Sequence, residues 1–193
     1  MTRIILSILM VITILGLVGC SQTVSGQVLQ SDKSRDTSPS VDASDLTALV
    51  DGNNAFAFDL YQVLKQTGGN LFYSPYSISE ALAMAYAGAR GETEQDMAQA
   101  LNFALSQDDL HPAFNSLDLQ LKQRGQGAVG KNGTGFHLDV ANAIWGQKDY
   151  QFLAQYLDVL AQNYGAGLRI ADFINQTEPV SYTHLTLPTI LLV

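Results

Sequence analysis

Few residues in this sequence have the chemistry that catalysis or metal binding requires. The chain has one cysteine, Cys20, and three histidines, His111, His137 and His184. One thiol cannot form an intramolecular disulfide or a cysteine-based zinc cluster. The histidines are not spaced from one another, or from a carboxylate, as metal ligands on a shared turn would be, so we expect them to be surface or strand residues. The sequence therefore predicts no metal site.

Two serines are the remaining candidate nucleophiles. Ser74 and Ser77 lie outside any G-x-S-x-G turn, and no histidine and carboxylate can be assigned to either as a catalytic pair. We expect them to cap a helix and to make hydrogen bonds, and we predict that the protein is not an enzyme. Residues 125–130 match G-x-G-x-x-G, but a dinucleotide site needs a strand before this motif and a helix after it. Here a helix precedes it and a polar loop follows, so no cofactor is predicted.

The charge balance excludes one class of partner. Lys and Arg number 10 against 18 Asp and Glu, which gives a formal net charge of -8 over 193 residues. Proteins that bind nucleic acid gain affinity by neutralising phosphates with clustered Lys and Arg. We therefore expect no nucleic-acid partner. The length fits one domain or part of one.

The amino end has the pattern of an export signal. Met1-Thr2-Arg3 is a short basic start, and Ile4 to Val18 is apolar except for two hydroxyl residues. This stretch of about 15 residues is shorter than the roughly 20 that a membrane-spanning helix needs. Leu17-Val18-Gly19-Cys20 resembles the bacterial lipobox, whose cysteine is lipidated and becomes the new amino terminus. An ordinary cleavage site that happens to precede a cysteine stays open as the alternative.

These features give a prediction for targeting and for the segment that follows. Residues 1–19 are predicted to be a lipoprotein signal peptide and Cys20 to be lipidated, so the protein is expected to be exported, either to the cell envelope or to the extracellular space. Membrane contact is expected only through the lipid. Residues 20–46 are mostly polar with few apolar side chains, too few to offset the entropy of ordering. They are predicted to be a flexible tether.

Beyond the tether, apolar periodicity predicts helices and strands in alternation. Phe56, Leu60, Val63 and Leu64 share one helical face, which Gly68-Gly69 ends, and a strand is expected at residues 70–73. Ser77 and Glu80 form a capping box for a buried helix. The elements predicted after it are a helix capped by Thr93, a helix starting at Pro112, a strand at Phe136–Trp145, a helix at Phe152–Tyr164 and a strand at Leu168–Phe173.

One motif resembles a known family closely. Residues 70–79 read Asn-Leu-Phe-Tyr-Ser-Pro-Tyr-Ser-Ile-Ser and are followed by the Ala-rich run 81–89. This strongly resembles the N-x-F-x-S-P-x-S-I element and the buried second helix of serpins. Weaker matches follow the order expected for serpins, at residues 53–64, 91–103, 140–145 and 168–173. The resemblance covers about residues 47–180.

The resemblance implies a fold and its limits. It implies an α+β serpin fold of which residues 47–180 are the N-terminal part, with helices A to E and the first strands of sheets A and B, ending before helix F. Residues 181–193 do not continue the serpin pattern. We expect them to be a non-native tail.

The resemblance also implies a function for the complete protein. Serpins that inhibit serine or cysteine proteases act as suicide substrates, in which an exposed reactive loop is cleaved and inserts as a new strand into the central sheet. That loop is absent from this chain, so the fragment itself is expected to be inactive and to aggregate, and the target protease cannot be named. A non-inhibitory serpin acting as a binding module, or an unrelated ligand-binding lipoprotein, remains open. The resemblance assigns six residues to the shutter, the region where the sheet opens: Asn70, Phe72, Ser74, Pro75, Ser77 and Asn142.

Overall fold

A computed structural model gives the structure of residues 27–124, 127 and 140–175. Within these ranges, helices pack around and beside one sheet of strand order β1-β3-β2. The strands are β1 (Val28–Leu29), β2 (Ile144–Gln147) and β3 (Leu168–Ala171). The helices are α1 (Ala43–Leu64) with a 3-10 turn at Lys65–Thr67, α2 (Pro75–Tyr86), α3 (Glu92–Leu101), α4 (Gln107–Arg124), and α5 (Ala154–Val159) with a π-helical turn at Leu160–Tyr164.

The larger of two apolar cores lies between the first four helices. The Phe114 ring is fully buried and meets Phe103 edge-on with 5.8 Å between ring centroids, and Phe103 meets Tyr86 at 5.4 Å. Edge-to-face pairs of this kind add to the free energy gained by burial. The buried members of this core are Leu49, Phe56, Ala83, Tyr86, Ala89, Leu101, Phe103, Leu110, Ala113 and Phe114.

The sheet lies on a smaller core that also involves α2. Strands β2 and β3 are parallel, and α5 forms the crossover between them, as a parallel pair requires. Met84 of α2 packs with Leu160 and Leu168 beneath the sheet. Helix α2 therefore contributes to both cores, although Leu82 stays exposed on it. The prediction that this helix lies in the interior is therefore correct for only one side of the helix.

The structure corrects the prediction of a flexible tether. Residues 27–42, here called the strap, lie against the folded body: β1 pairs with β3, Arg35 forms an ion pair with Asp118, and Val41 packs on the larger core. Helix α1 then begins at Ala43, inside the predicted tether. The tether prediction is thus wrong over residues 27–46. Composition favoured disorder, but a sheet edge and a carboxylate far away in sequence supply partners that order the segment.

Several element boundaries also differ from the predictions. Residues 70–74 form no strand, because no neighbouring strand pairs with them among the described residues. Helix α2 begins at Pro75, so Ser74 rather than Ser77 is its N-cap. Helix α3 begins directly after Gly91, whose φ of 63° suits a glycine, and not after a Thr93 cap.

Two later boundaries shift in the same way. Helix α4 begins at Gln107, so Pro112 lies within it rather than at its first residue. In the predicted strand Phe136–Trp145, pairing starts only at Ile144, and residues 136–139 lie outside the described residues. Strand β3 ends at Ala171, within the predicted strand.

Some predictions fall on residues that the structure does not describe. The signal peptide at 1–19, Cys20, the glycine motif apart from Gly127, and the tail at 181–193 lie outside the described ranges, as do His137 and His184. In the described ranges, none of the helices is both long enough and apolar enough to cross a bilayer.

Candidate functional site at the start of helix α2

The serine cluster predicted from the sequence forms the first turn of α2. The Ser74 hydroxyl oxygen accepts a hydrogen bond from the Ser77 N–H at 3.3 Å, and the two hydroxyl oxygens lie 3.0 Å apart. Pro75 occupies the first helical position, where its missing N–H has no consequence. The Ser74 hydroxyl thus satisfies one backbone donor at the helix start, and within the described residues neither serine hydroxyl bonds to a histidine or a carboxylate.

A buried carboxylate lies one turn further along the same helix. Glu80 is 7% exposed, its Oε2 accepts a hydrogen bond from Asn142 Nδ2 at 2.6 Å, and its Oε1 accepts one from the Tyr76 hydroxyl at 3.3 Å. Asn142 precedes β2, so this bond joins the helix to the segment that leads into the sheet. Burial, and then the nearby charge of Asp118, raise the pKa of the Glu80 carboxyl. Burial and then Glu80 raise the pKa of the Tyr76 hydroxyl well above its usual value.

Two cationic side chains near this site form ion pairs with Asp118 of α4. Its Oδ2 lies 2.6 Å from Arg35 NH2 and 2.8 Å from Lys122 Nζ, and its side chain is 6% exposed. Arg35 also donates from Nε to Asn115 Oδ1 at 2.8 Å. Glu80, in contrast, accepts its hydrogen bonds from a neutral amide and a neutral phenol. The Glu80 carboxylate is therefore held by neutral donors, whereas the Asp118 carboxylate is held by cations.

Helix α4 also carries a buried histidine. His111 is 3% exposed, and its Nδ1 lies 2.7 Å from the Tyr164 hydroxyl, whereas Nε2 has no hydrogen-bond partner among the described residues. Burial, and then the charge of Arg90, lower the pKa of His111 to about 4. The imidazole is thus neutral at neutral pH. The expectation that the histidines are surface or strand residues is wrong for His111, which lies on a buried helical face.

The six predicted site residues do not form one cluster. Ser74, Pro75 and Ser77 share a turn, and Asn142 is linked to that helix through Glu80 rather than through a serine. The other two, Asn70 and Phe72, are exposed and lie outside the cluster.

The sequence pattern indicated only a capping role for Glu80 and no role for Tyr76. Two signals could have identified them: one acid in an otherwise apolar helix, and a tyrosine four residues before it, on the same helical face. Near this site and elsewhere in the described ranges, no three His, Cys, Asp or Glu side chains come together as a group that could bind a metal.

The chain is similar to proteins of one family. The model of the Serpin family (serine protease inhibitor) matches residues 51–182. Leukocyte elastase inhibitor A of Mus musculus is 38% identical over 132 residues, which cover 67% of this chain and 32% of that protein. The leukocyte elastase inhibitor of Homo sapiens is 34% identical over 137 residues, 70% of this chain and 34% of that protein. An uncharacterized serpin-like protein of Thermococcus kodakarensis is 37% identical over 125 residues, 65% and 28% of the two chains.

Solved structures show the same relationship. Cleaved kallistatin in complex with heparin superposes with a TM-score of 0.53 at 27% identity, over 67% of this chain and 37% of that one. Human glycosylated kallistatin gives a TM-score of 0.56 at 27% identity, over 70% and 36%. These matches confirm the predicted α+β class and a partial serpin fold.

The match is extensive within this chain but partial with respect to its relatives. The chain spans about a third of the length of the curated relatives it matches. An origin outside the serpins, one of the alternatives left open by the sequence, is excluded by the family match. The family match covers residues 51–182, which is more than half of this chain. The chain therefore belongs to the serpin family.

Proposed function

We propose that the complete protein inhibits a serine or cysteine protease as a suicide substrate, by inserting its cleaved reactive loop into the central sheet, and that it is not an enzyme. Family membership and the elastase inhibitors among its relatives support this proposal. The target protease would bind the reactive loop, which we place in the part of the relatives' length that this chain does not span.

The hydrogen bond between Asn142 and Glu80 is the observation that carries the mechanism. Loop insertion requires neighbouring strands to separate above α2, and this bond joins α2 to the segment leading into β2. A hydrogen bond to a carboxylate, at 2.6 Å and largely buried, contributes more than a neutral one. The outer edge of β2 has no strand beside it among the described residues, so further strands of the complete protein can pair there.

The test is complex formation by the full-length gene product. We expect incubation with one or more elastase-like, trypsin-like, chymotrypsin-like or papain-like proteases to give a complex that survives SDS, with loss of protease activity at equal molar amounts. Its mass should equal that of the protease plus the inhibitor, less the peptide that is released from the carboxyl side of the cleaved bond. The 193-residue chain is the matched control, and it is expected to form no complex. Cleavage of the full-length protein by every protease without a stable complex would contradict inhibition. It would favour the alternative of a non-inhibitory serpin acting as a binding module.

The proposed location is the outer face of a membrane. We propose that residues 1–19 are removed and that Cys20 carries the lipid, which would be the only membrane contact. Growth with a radiolabelled fatty acid should label the wild-type protein and not the Cys20→Ala variant, which should appear in the medium or the soluble periplasmic fraction. Equal labelling of both proteins would contradict lipidation at this residue.

A further inference from the structure

A polar cleft lies between the start of α3, the first turns of α4 and helix α5. Its volume is about 390 Å³, at the low end of the range found for small-molecule sites. Most of its wall is charged or polar, and Pro112 and Val159 add a small apolar area. The serine cluster and Glu80 lie outside it, so the cleft is separate from the site at the start of α2.

One wall of the cleft is fixed by the side chain of Gln107. Its Nε2 donates to Glu94 Oε1 at 2.9 Å and to the Ala89 carbonyl oxygen at 3.0 Å, and its Oε1 accepts from Arg90 Nη1 at 3.1 Å. Gln107 thus holds a cation and a carboxylate in place on the same wall. Polar groups that are already held in position favour binding, because less order has to be imposed when a ligand arrives.

The charged groups of the cleft keep hydrogen-bonding atoms that the protein does not use. Arg90 donates only from Nη1, to Gln107 and to two backbone carbonyl oxygens, so its Nε and Nη2 have no partner among the described residues. In the same part of the chain, Glu94 accepts only at Oε1, which leaves Oε2. The cleft therefore has free donors at a cation and a free acceptor at an anion.

A buried donor without an acceptor also lines the cleft. His111 is 3% exposed, and its Nε2 has no partner within the described ranges. Its Nδ1 lies 2.7 Å from the Tyr164 hydroxyl. A phenol is a stronger acid than a neutral imidazole, and an imidazole nitrogen is a stronger base than a phenol oxygen, so the hydroxyl donates to Nδ1 and the ring proton lies on Nε2. A buried N–H without an acceptor is costly, and a ligand oxygen would remove that cost.

We propose that this cleft binds a free α-amino acid with an aliphatic side chain. The ligand carboxylate accepts from Arg90 and from His111 Nε2, its ammonium group donates to Glu94, and its side chain packs on the apolar part of the wall. A simple anion fits less well, because two carboxylates, Glu94 and Asp108, line the cleft against one cation. This proposal does not depend on protease inhibition.

The tautomer of His111 tests the donor side of the cleft without any ligand. In full-length protein with isotope-labelled histidine, nitrogen–proton couplings at neutral pH should show the ring proton on Nε2, and His111→Gln identifies the signal by its loss. A proton on Nδ1 would make Nε2 an acceptor. It would overturn the assignment of a ligand carboxylate to this position.

L-Leucine is the probe for binding, together with two analogues that each lack one charged group. Isopentylamine has no carboxylate, and isocaproate has no ammonium group. We expect L-leucine to shift the His111 ring signals of the full-length protein until they saturate. Its affinity should exceed that of either analogue by about 10- to 100-fold, the factor expected for hydrogen bonds to charged groups. The proposal fails if an analogue binds as tightly as L-leucine, or if L-leucine gives no saturable shift.

Glu94→Gln tests the ammonium side of the cleft. Glutamine keeps an oxygen for Gln107 Nε2 but removes the charge, so the affinity for L-leucine should fall about 10- to 100-fold and that for isocaproate should not fall. Asp96→Asn is the matched control, because Asp96 is an exposed carboxylate on the same helix and lies outside the cleft. It should bind L-leucine as wild type does. Unchanged affinity in Glu94→Gln, or an equal loss in Asp96→Asn, would refute the assignment of the ammonium group to Glu94 and with it the proposed site.

Discussion

Acidification should destabilise this protein through His111. The pKa of this imidazole is 6.5 in an unfolded chain and about 4 in the folded protein. A pKa that is lower in the folded state gives stability that is present above pH 6.5 and is lost as the pH falls towards about 4. At about 1.4 kcal/mol for each tenfold change in proton affinity, the fall from 6.5 to about 4 corresponds to roughly 3 kcal/mol. This value is a large part of the stability of an ordinary domain.

The assay is urea unfolding of the full-length protein at a series of pH values between those limits. His111→Gln stays neutral throughout, so its free energy of unfolding should lack the loss of about 3 kcal/mol that wild type shows. The variant should be less stable than wild type at neutral pH, because it loses the aromatic contact with Tyr164, and more stable at the acid end.

Tyr164→Phe is the matched control for this measurement. It removes the hydroxyl at Nδ1 but keeps the titrating ring, so it should lower stability by about 1 to 3 kcal/mol and keep the acid dependence. Parallel pH profiles for wild type and His111→Gln would refute the reasoning, since another group would then cause the loss.

Two further predictions concern helix α2. Because the pKa of Glu80 is raised in the folded protein, this carboxyl contributes stability at acid pH that is lost as the pH rises through its folded pKa. The urea midpoint of Glu80→Gln should therefore rise relative to that of wild type as the pH goes from acid to neutral. A difference between the two midpoints that stays constant with pH would contradict this. Ser74→Ala removes the helix cap and should lower the free energy of unfolding by about 1 kcal/mol. Ser77→Ala keeps the backbone N–H that the cap accepts from, so it should lose less in the same thermal-unfolding experiment. Equal losses would exclude Ser74 as the dominant cap.

Local signals predicted the elements well where the chain supplies its own partners. A serine cap was predicted near the start of α2, although at Ser77 rather than at Ser74, and the apolar spacing of Phe114 and Leu117 predicted the core face of α4. Such signals can be found in a sequence because caps and periodicity act within a few residues. The serine cluster at the start of α2 was found for the same reason.

The polar face of the same helix was missed because its burial depends on distant segments. His111, Asn115 and Asp118 recur at spacings of four and three, which defines one helical face as clearly as an apolar stripe would. The polar residue types suggested that this face contacts solvent, but Arg35 and Tyr164 cover it from elsewhere in the chain. The strap was mistaken for a tether for the same reason, since its partners lie about 80 residues away.

An anchor at Cys20, as proposed above, would have a shorter reach because the strap is ordered. With Cys20 lipidated as proposed, a free tether reaching to residue 46 could extend about 90 Å from the bilayer at its longest. Pairing at Val28 leaves only the peptide units between residues 20 and 28, a reach of about 28 Å. The edge of the sheet that carries β1 would then stay within about 28 Å of the lipid headgroups, and a protease bound as proposed would have to approach close to the membrane, from a restricted set of directions.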